Sequence, residues 1–301
     1  MRYLLRKAVL DEVPEIEITP EEYAEFKKAH NVLSNALAIE EKYEIVITNY
    51  LDFEKQILNT TVDCMAREDL DYSDFFEVRQ GLNIRLVNLL TAARLYADQL
   101  KQNVQECLPN VADAKESVKN FFSKEYDENK EYRFMEALRN HVQHRGLPVH
   151  WTQLDRRLTS LEDGFLEYSI ELATQRSYLE ENGEFKKQVL AELDEKTDLK
   201  AATRSYVESI GNVHESVRSM IARSVVLARE LIEDAHHRYA AVCSASLVDL
   251  SACKWSSDGQ LSTTPLLLEW DNIRVKLQER NSKITNLRKR YVTGSIKIHN
   301  K

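Results

Sequence analysis

Residues 32–57, VLSNALAIEEKYEIVITNYLDFEKQI, decide the fold class of this chain. After Val32, apolar side chains recur in alternating steps of four and three, at Ala36, Ile39, Tyr43, Val46, Tyr50, Phe53 and Ile57. This spacing places them on one face of an α-helix, which has 3.6 residues per turn. We therefore predict one long amphipathic helix, whose apolar face needs neighbouring helices to cover it.

The same spacing returns in two further long stretches. One runs through Val78, Leu82, Leu86, Leu89, Ala93, Tyr96 and Leu100 and ends before Pro109. The other runs through Tyr206, Ile210, Val213, Val217, Met220, Ser224, Leu227 and Leu231. Shorter helices are predicted at 111–124 and 130–145. Steps of three and four favour antiparallel packing at a shallow angle, so we expect a mainly α protein built as an antiparallel helical bundle.

Strands and loops are expected outside the bundle. For residues 1–24 we predict an N-terminal strand and a lead-in segment. A capping box between Thr19 and Glu22 predicts the start of the first helix. The bundle then spans 25–245. Apolar and polar residues alternate at 166–173, which predicts a strand in a small insert near 158–190. We expect 246–301 to be a Ser/Thr-rich loop and an extra, basic C-terminal helix that begins at Thr264 and Pro265.

Composition argues against several functional classes. The 301 residues include only seven glycines and five prolines, about a third of ordinary usage. No two glycines are close enough for a G-x-G-x-x-G or P-loop motif, and we expect no cofactor. The four cysteines show no C-x-x-C, so we expect no metal. No apolar run approaches membrane-span length, and charge follows too early for a signal peptide, so we expect a cytoplasmic protein without membrane contact.

Charge is concentrated at the C-terminus. The formal net charge is −8, yet residues 274–301 hold nine Lys or Arg against Glu279 alone. Three readings stay open: contact with an RNA backbone, docking onto the acidic body, or a solvated helix face. Arg288, Lys289 and Arg290 are the candidate substrate-binding residues of this segment.

Residues 132–148, YRFMEALRNHVQHRGLP, contain the candidate chemistry. Gly146 suits the position after a helix end and Pro148 prevents continuation, so His144 lies in the last turn. Asn140 precedes His144 by four residues on the same face, and Arg139 precedes it by five. Metal-free phosphodiester cleavage needs a base for the ribose 2′-hydroxyl proton and a cation for the charged phosphorane. Histidine and arginine supply these groups.

Arg139, Asn140 and His144 resemble the hallmark of the HEPN superfamily, helical proteins with Arg, often Asn, and then His late in an antiparallel bundle. The resemblance implies a metal-independent endoribonuclease that works as a homodimer with a composite cleft. Arg139 would polarise the scissile phosphate, His144 would act as general base or acid, and Asn140 would orient either one. The expected product is a 2′,3′-cyclic phosphate. Many relatives are toxins or anti-phage effectors, so RNA and an antitoxin or regulatory protein are the implied partners.

The flanking Arg145 and His141 complete the candidate substrate-binding set. The Arg-to-His spacing also occurs from Arg145 to His150, through Gly146 and Pro148, and from Arg229 to His236, where no amide follows the arginine. Only Arg139 combines the asparagine, the helix and its terminator. An alternative from another class stays open: a non-catalytic helical module that binds a protein partner, nucleic acid or nucleotide, with Arg139 on a helix surface and His144 as a cap.

Overall fold

The computed structural model of the chain describes residues 1–7, 13–67, 71–159, 164–181, 183–243, 249–257, 259–282 and 284–292. The helices in these residues are α1 (Pro20–Arg67), α2 (Tyr72–Cys107), α3 (Ala114–Glu128), α4 (Lys130–His144), α5 (Arg176–Glu181), α6 (Lys187–Ala191), α7 (Leu199–Ala240) and α8 (Glu269–Arg280). The strands are β1 (Arg2–Lys7), β2 (Ile16–Glu17), β3 (Trp151–Leu158), β4 (Leu166–Gln175), β5 (Lys196–Asp198), β6 (Leu250–Ser256) and β7 (Gly259–Pro265). The mainly α prediction is confirmed, with small antiparallel sheets added.

Helix α1 begins at the predicted capping box. The Thr19 hydroxyl accepts a hydrogen bond from the Glu22 amide at 3.1 Å, and the Glu22 carboxylate accepts one from the Thr19 amide at 2.8 Å. The helix then continues for 48 residues. Every residue of its predicted apolar series is buried, from Val32 to Ile57. The periodic pattern therefore identified the packed face of this helix correctly.

The chain divides into two compact units. Unit 1 comprises Met1–Glu44, Ala97–Asn120 and His214–Lys283, and unit 2 comprises Ile45–Tyr96, Phe121–Val213 and Ile284–Lys301. Helices α1, α2, α3 and α7 each contribute residues to both units. The candidate motif on α4 belongs to unit 2.

Unit 1 contains a four-stranded antiparallel sheet in the order β2-β1-β6-β7. Strand β6 lies in its middle, with Cys253 opposite Leu4 and Ala252 opposite Leu5. The expectation of a Ser/Thr-rich loop after residue 246 was wrong for most of this stretch, because β6 and β7 form a hairpin. Pairing with β1, about 250 residues earlier in the chain, supplies hydrogen bonds that local composition does not reveal.

The C-terminal helix also differs from the prediction. We expected it to begin at Thr264, but that residue belongs to β7, and α8 covers only Glu269–Arg280. A single 3-10 turn follows at Leu287–Lys289. Within unit 1, the end of α8 is tied to α1, because the Arg280 guanidinium pairs with Glu44 and the Asn281 amide donates to the same carboxylate at 2.7 Å.

Unit 2 contains the three-stranded sheet β3-β4-β5. The predicted strand at 166–173 is confirmed as β4, which pairs with β3 from Trp151↔Ala173 to Leu158↔Leu166. The strands of this region span Trp151–Asp198 rather than 158–190. In the helical part of the unit, the Arg204 guanidinium of α7 donates to both carboxylate oxygens of Glu54 on α1, at 2.7 and 2.8 Å.

Candidate functional site

Helix α4 is held at both ends by local hydrogen bonds. At its start, the Asn129 side chain accepts from the amides of Glu131 and Tyr132, and its amide group donates to Ser205 and Ser209 on α7 at 2.9 Å each. At its end, the amides of Arg145 and Gly146 donate to the His141 carbonyl at 2.8 and 3.3 Å. The predicted terminator is therefore in place, and the last turn of α4 is well ordered by these bonds.

Gly146 follows the end of α4, but the position requires glycine for space rather than for backbone conformation. Its φ is not in the left-handed region that a glycine at a helix end commonly adopts. A side chain at this position would instead place its first carbon 3.2 Å from Nε2 of His141, which is closer than nearly all such contacts. Glycine here gives the His141 ring its space.

A cavity of about 270 Å³ lies against the exposed end of α4, and we call it the helix-end pocket. Its helical wall carries Glu136, Asn140, His141, His144 and Arg145, and Lys186 faces them from the segment before α6. Glu136, Asn140 and His144 are spaced by four residues and share one helix face. The structure thus brings four predicted site residues into one pocket.

Asn140 and His144 are the open groups of this pocket. Both side chains are exposed. Neither forms a side-chain hydrogen bond or ion pair within the residues that the structure describes. An amide and an imidazole are therefore available to a ligand, four residues apart on one helix face.

Arg139 lies in the interior rather than in the pocket. Its side chain is only 7% exposed, its Nη2 donates to the Glu136 carboxylate at 3.0 Å, and its Nε is buried without a partner in the described structure. Arg139 and His144 are five residues apart, so their side chains point about 140° apart around the helix axis. Arg139 therefore lies on the packed face of α4, and the structure separates it from the two residues with which we grouped it.

Glu136 connects this interior to the pocket. Its second oxygen accepts a hydrogen bond from the Tyr206 hydroxyl on α7 at 2.7 Å, while Arg139 holds the first. Burial raises the pKa of Tyr206 well above its usual value, and the Glu136 charge raises it further, so the phenol stays a donor. Arg139 and Tyr206 thus orient a carboxylate that faces the pocket.

Two cations of the pocket already have partners. The Arg145 guanidinium forms an ion pair with Glu184, with Nε 3.0 Å from the carboxylate, and it remains 41% exposed. The Lys186 ammonium lies 4.7 Å from the centre of the Tyr126 ring and bonds to its hydroxyl. The ion pair of Arg145 is exposed and contributes little to stability, and Lys186 is itself exposed, so an incoming anion can compete for either cation.

His141 is the buried histidine of the pocket. Burial and then the Arg145 charge lower its pKa below the usual value of 6.5, so its imidazole is neutral at pH 7. Its ring packs against Phe185 and His150, with ring centres 6.1 and 6.5 Å apart. A neutral imidazole in a partly closed pocket is able to accept a proton.

The predicted basic residues of the C-terminal segment are not among those that line this pocket. Arg288 pairs with Glu208 on α7 at 3.2 Å, and Lys289 and Arg290 are exposed. In unit 1, Arg274 of the same basic stretch pairs with the buried Asp271. Arg280 and Arg288 contact acidic residues on other helices, Glu44 on α1 and Glu208 on α7, whereas the Arg274 pair lies within α8.

No family model, curated protein or solved structure matches this chain. Within the described residues, no three His, Cys, Asp or Glu side chains are placed to hold a metal ion, including His141, His144 and His150. No described helix has an apolar stretch long enough to span a bilayer.

Sequence reasoning missed several pocket residues. Glu136 continues the four-residue series of Asn140 and His144 toward the start of α4, so its spacing was a usable signal. Tyr126 and Lys186 had no such signal, because they reach the pocket from α3 and from a segment more than 40 residues after the motif. Only tertiary packing brings them together.

Two further cavities adjoin the pocket along unit 2. The first, of about 320 Å³, shares His141 with the helix-end pocket and is also lined by Arg79, His150 and Tyr178; we call it the connecting recess. The second, of about 190 Å³, shares Arg79 and His150 with the connecting recess and is also lined by Tyr72, Phe75, Phe76 and Trp151; we call it the aromatic recess. The three cavities are therefore neighbours in unit 2, with the connecting recess sharing a lining residue with each of the other two.

Proposed function

We propose that this protein is a metal-independent endoribonuclease of the HEPN type, which cleaves RNA in the helix-end pocket. One observation carries the proposal: the pocket combines two histidines, an unbonded amide and two exposed cations, Arg145 and Lys186. General acid–base groups and cations are what this cleavage needs in the absence of a metal ion.

The proposed roles follow from burial and exposure. The neutral His141 takes the proton of the 2′-hydroxyl, whose oxygen then bonds to phosphorus. His144, whose side chain is exposed, acts as the general acid and gives a proton to the 5′-oxygen as the bond from phosphorus to that oxygen breaks. The products are a 2′,3′-cyclic phosphate and a 5′-hydroxyl. Arg145 and Lys186 stabilise the charge on the phosphorane, and Asn140 orients the phosphate.

This assignment revises the role of arginine implied by the HEPN resemblance. Arg139 acts through Glu136, as a positioning residue, and Arg145 takes the place beside the phosphate. The homodimer remains part of the proposal, because the exposed Asn140 and His144 of two copies can face a common cleft. A cytoplasmic location is also part of the proposal. A toxin or anti-phage role, with an antitoxin or regulatory protein as partner, is part of the same proposal.

A second candidate is a non-catalytic module that binds RNA or a nucleotide phosphate in the same pocket. The burial of Arg139 favours it, because the most characteristic cation of the motif does not reach the open surface. Such a module needs Arg145, Lys186 and Asn140 for binding, and neither histidine for chemistry.

The test is RNA cleavage by the purified protein in EDTA, with the wild type beside His144→Ala and analysis of the product ends. We expect His144→Ala to lower the cleavage rate by about 100-fold or more. Its stability should stay within about 0.5 kcal/mol of the wild type, because the side chain is exposed and unbonded. His237→Ala is the matched control, since His237 is also an exposed histidine near a helix end.

The two candidate functions give different results. Cleavage that yields cyclic phosphate and is lost only in His144→Ala supports the nuclease. If the wild type binds RNA but cleaves no transfer, ribosomal or messenger RNA, the binding module is the better description. Equal cleavage by the wild type and His144→Ala would contradict the assigned site.

A further inference from the structure

The aromatic recess exposes an unusual amount of ring surface. Tyr72 is 86% exposed and Phe76 is 50% exposed at the start of α2, and Trp151 faces the same recess from β3. Clustered exposed aromatic residues are uncommon on a protein surface unless they contact something. The flat rings offer stacking surfaces to a planar partner.

Cations lie among these rings. Arg79 lines both the aromatic and the connecting recess, is partly buried, and forms no hydrogen bond or ion pair in the described part of the chain. The pKa of His150 is lowered first by burial, then by its electrostatic interaction with His141, and also by the charge of Arg79. The Lys196 ammonium lies 3.5 Å from the centre of the Trp151 ring.

Exposed rings combined with an unpaired arginine are typical of surfaces that bind single-stranded nucleic acid. Bases stack on the rings, and the cations attract the backbone. A duplex keeps its bases stacked inside and offers no free ring faces. The surface also leads to the imidazoles: Tyr178 stacks on His150 at 4.8 Å, and His150 lies 6.5 Å from His141.

We propose that the aromatic recess is a base-stacking subsite for single-stranded RNA, which lies along the connecting recess and places its scissile phosphate in the helix-end pocket. This inference rests on the proposed function for the direction of the strand, but the subsite itself requires only binding. Stacking tolerates any base, so the subsite favours unpaired strands over duplexes without strong sequence preference.

The experiment measures binding separately from cleavage. The probe is a fluorescein-labelled, 2′-O-methyl single strand of mixed sequence, which lacks the nucleophilic hydroxyl and cannot be cleaved. Fluorescence anisotropy in EDTA at fixed salt compares the wild type, Tyr72→Ala/Phe76→Ala and the conservative Tyr72→Phe/Phe76→Tyr. Phe165→Ala is the matched control, because Phe165 is an exposed ring of unit 2 that does not line the recess.

We expect the double alanine variant to bind the single strand at least about tenfold more weakly, and the conservative variant and Phe165→Ala to bind as the wild type does. Binding of a duplex of the same sequence should be weaker than that of the strand and unchanged by the substitutions. Unchanged strand binding in the double alanine variant would overturn the proposal. So would a mononucleotide that competes as well as the strand, since the recess would then hold a free nucleotide.

Failure of this inference is distinguishable from failure of the proposed function. If the wild type does not cleave RNA but the alanine variant loses strand binding, the subsite stands and the nuclease does not. If the wild type cleaves RNA but the alanine variant binds the strand normally, the nuclease proposal stands and the stacking subsite is wrong. If the variant changes only the sedimentation of the protein, the recess contacts a protein chain and the proposal is wrong.

Discussion

His214 on α7 and His144 on α4 both lie near a carboxylate and an arginine, but their surroundings differ. In unit 1, His214 is fully buried, its Nε2 is 3.2 Å from Glu40, and its ring stacks on Tyr43 at 3.8 Å. Arg218 holds both Glu40 oxygens at 2.7 and 2.8 Å. In unit 2, His144 faces an open pocket. The first cluster has its polar groups satisfied internally, whereas the second leaves groups for a ligand.

The contrast teaches that residue type does not separate structural from functional clusters. Glu40, His214 and Arg218 would make a plausible acid–base set in a list of residues, yet all three are buried. Burial alone would raise the pKa of Glu40, but the hydrogen bonds from Arg218 and His214 lower it to about 2. Such a charged cluster specifies how its helices pack and has no free group for substrate.

The largest expected effect comes from breaking the buried cluster. Arg218→Ala should lower the free energy of unfolding by about 3–5 kcal/mol, because it leaves the Glu40 charge buried without its main partner. Urea unfolding at pH 7 measures the change. Arg223→Ala on the same helix is the control, since Arg223 is exposed and should change stability little. A loss of less than about 1 kcal/mol in Arg218→Ala would mean that the cluster is not closed to water.

Acidification should weaken the same cluster in two steps. Burial lowers the pKa of His214 below 6.5 in the folded protein. As the pH drops below 6.5, this histidine is therefore protonated more readily in the unfolded chain than in the folded one, and stability falls. The pKa of Glu40 is about 2 when folded and 4.5 when unfolded, so its contribution is lost as the pH falls from 4.5 toward 2. Urea unfolding between pH 7.5 and 4 measures the first step.

Other buried or partly buried histidines add to this slope with the same sign. Burial lowers the pKa of His30, His141 and His150 as well. The informative quantity is therefore the difference between the wild type and His214→Phe, which keeps a ring against Tyr43. We expect the variant to lose less stability between pH 7 and 5. Parallel curves would show that His214 does not contribute.

The smallest effect on stability, and the sharpest test of the pocket, comes from a comparison of the buried Arg139 with the exposed Arg145. Arg139→Ala should destabilise the protein by about 1–3 kcal/mol, because a buried partner of Glu136 is lost. Arg145→Ala should stay within about 0.5 kcal/mol, because its ion pair is exposed. Thermal unfolding and cleavage in EDTA are measured on both variants.

Activity separates the roles of these arginines. We expect Arg145→Ala to lose cleavage at unchanged stability, and Arg139→Met, which keeps the volume without the charge, to retain part of it. If Arg139→Ala instead abolishes cleavage at wild-type stability, Arg139 belongs beside the phosphate, and the buried position seen here is not the active one.

Much of the helical structure follows from local pattern. The sequence correctly predicted the capping box at Thr19 and Glu22, the buried series from Val32 to Ile57 and the helix that carries the motif. Each of these features depends on residues within a few positions of one another. The hairpin of β6 and β7 could not be predicted from local sequence, because β6 also pairs with β1, which lies at the other end of the sequence.

For the candidate site, the sequence by itself determined that Asn140 and His144 share one helix face near a helix end, because helical periodicity makes this a local matter. Tertiary structure decided the rest. The packing of α4 against α7 buried Arg139 beside Glu136 and Tyr206, and the fold brought Lys186 and Tyr126 to the open side. Which face of a helix is covered depends on its neighbours, and those neighbours come from distant parts of the chain.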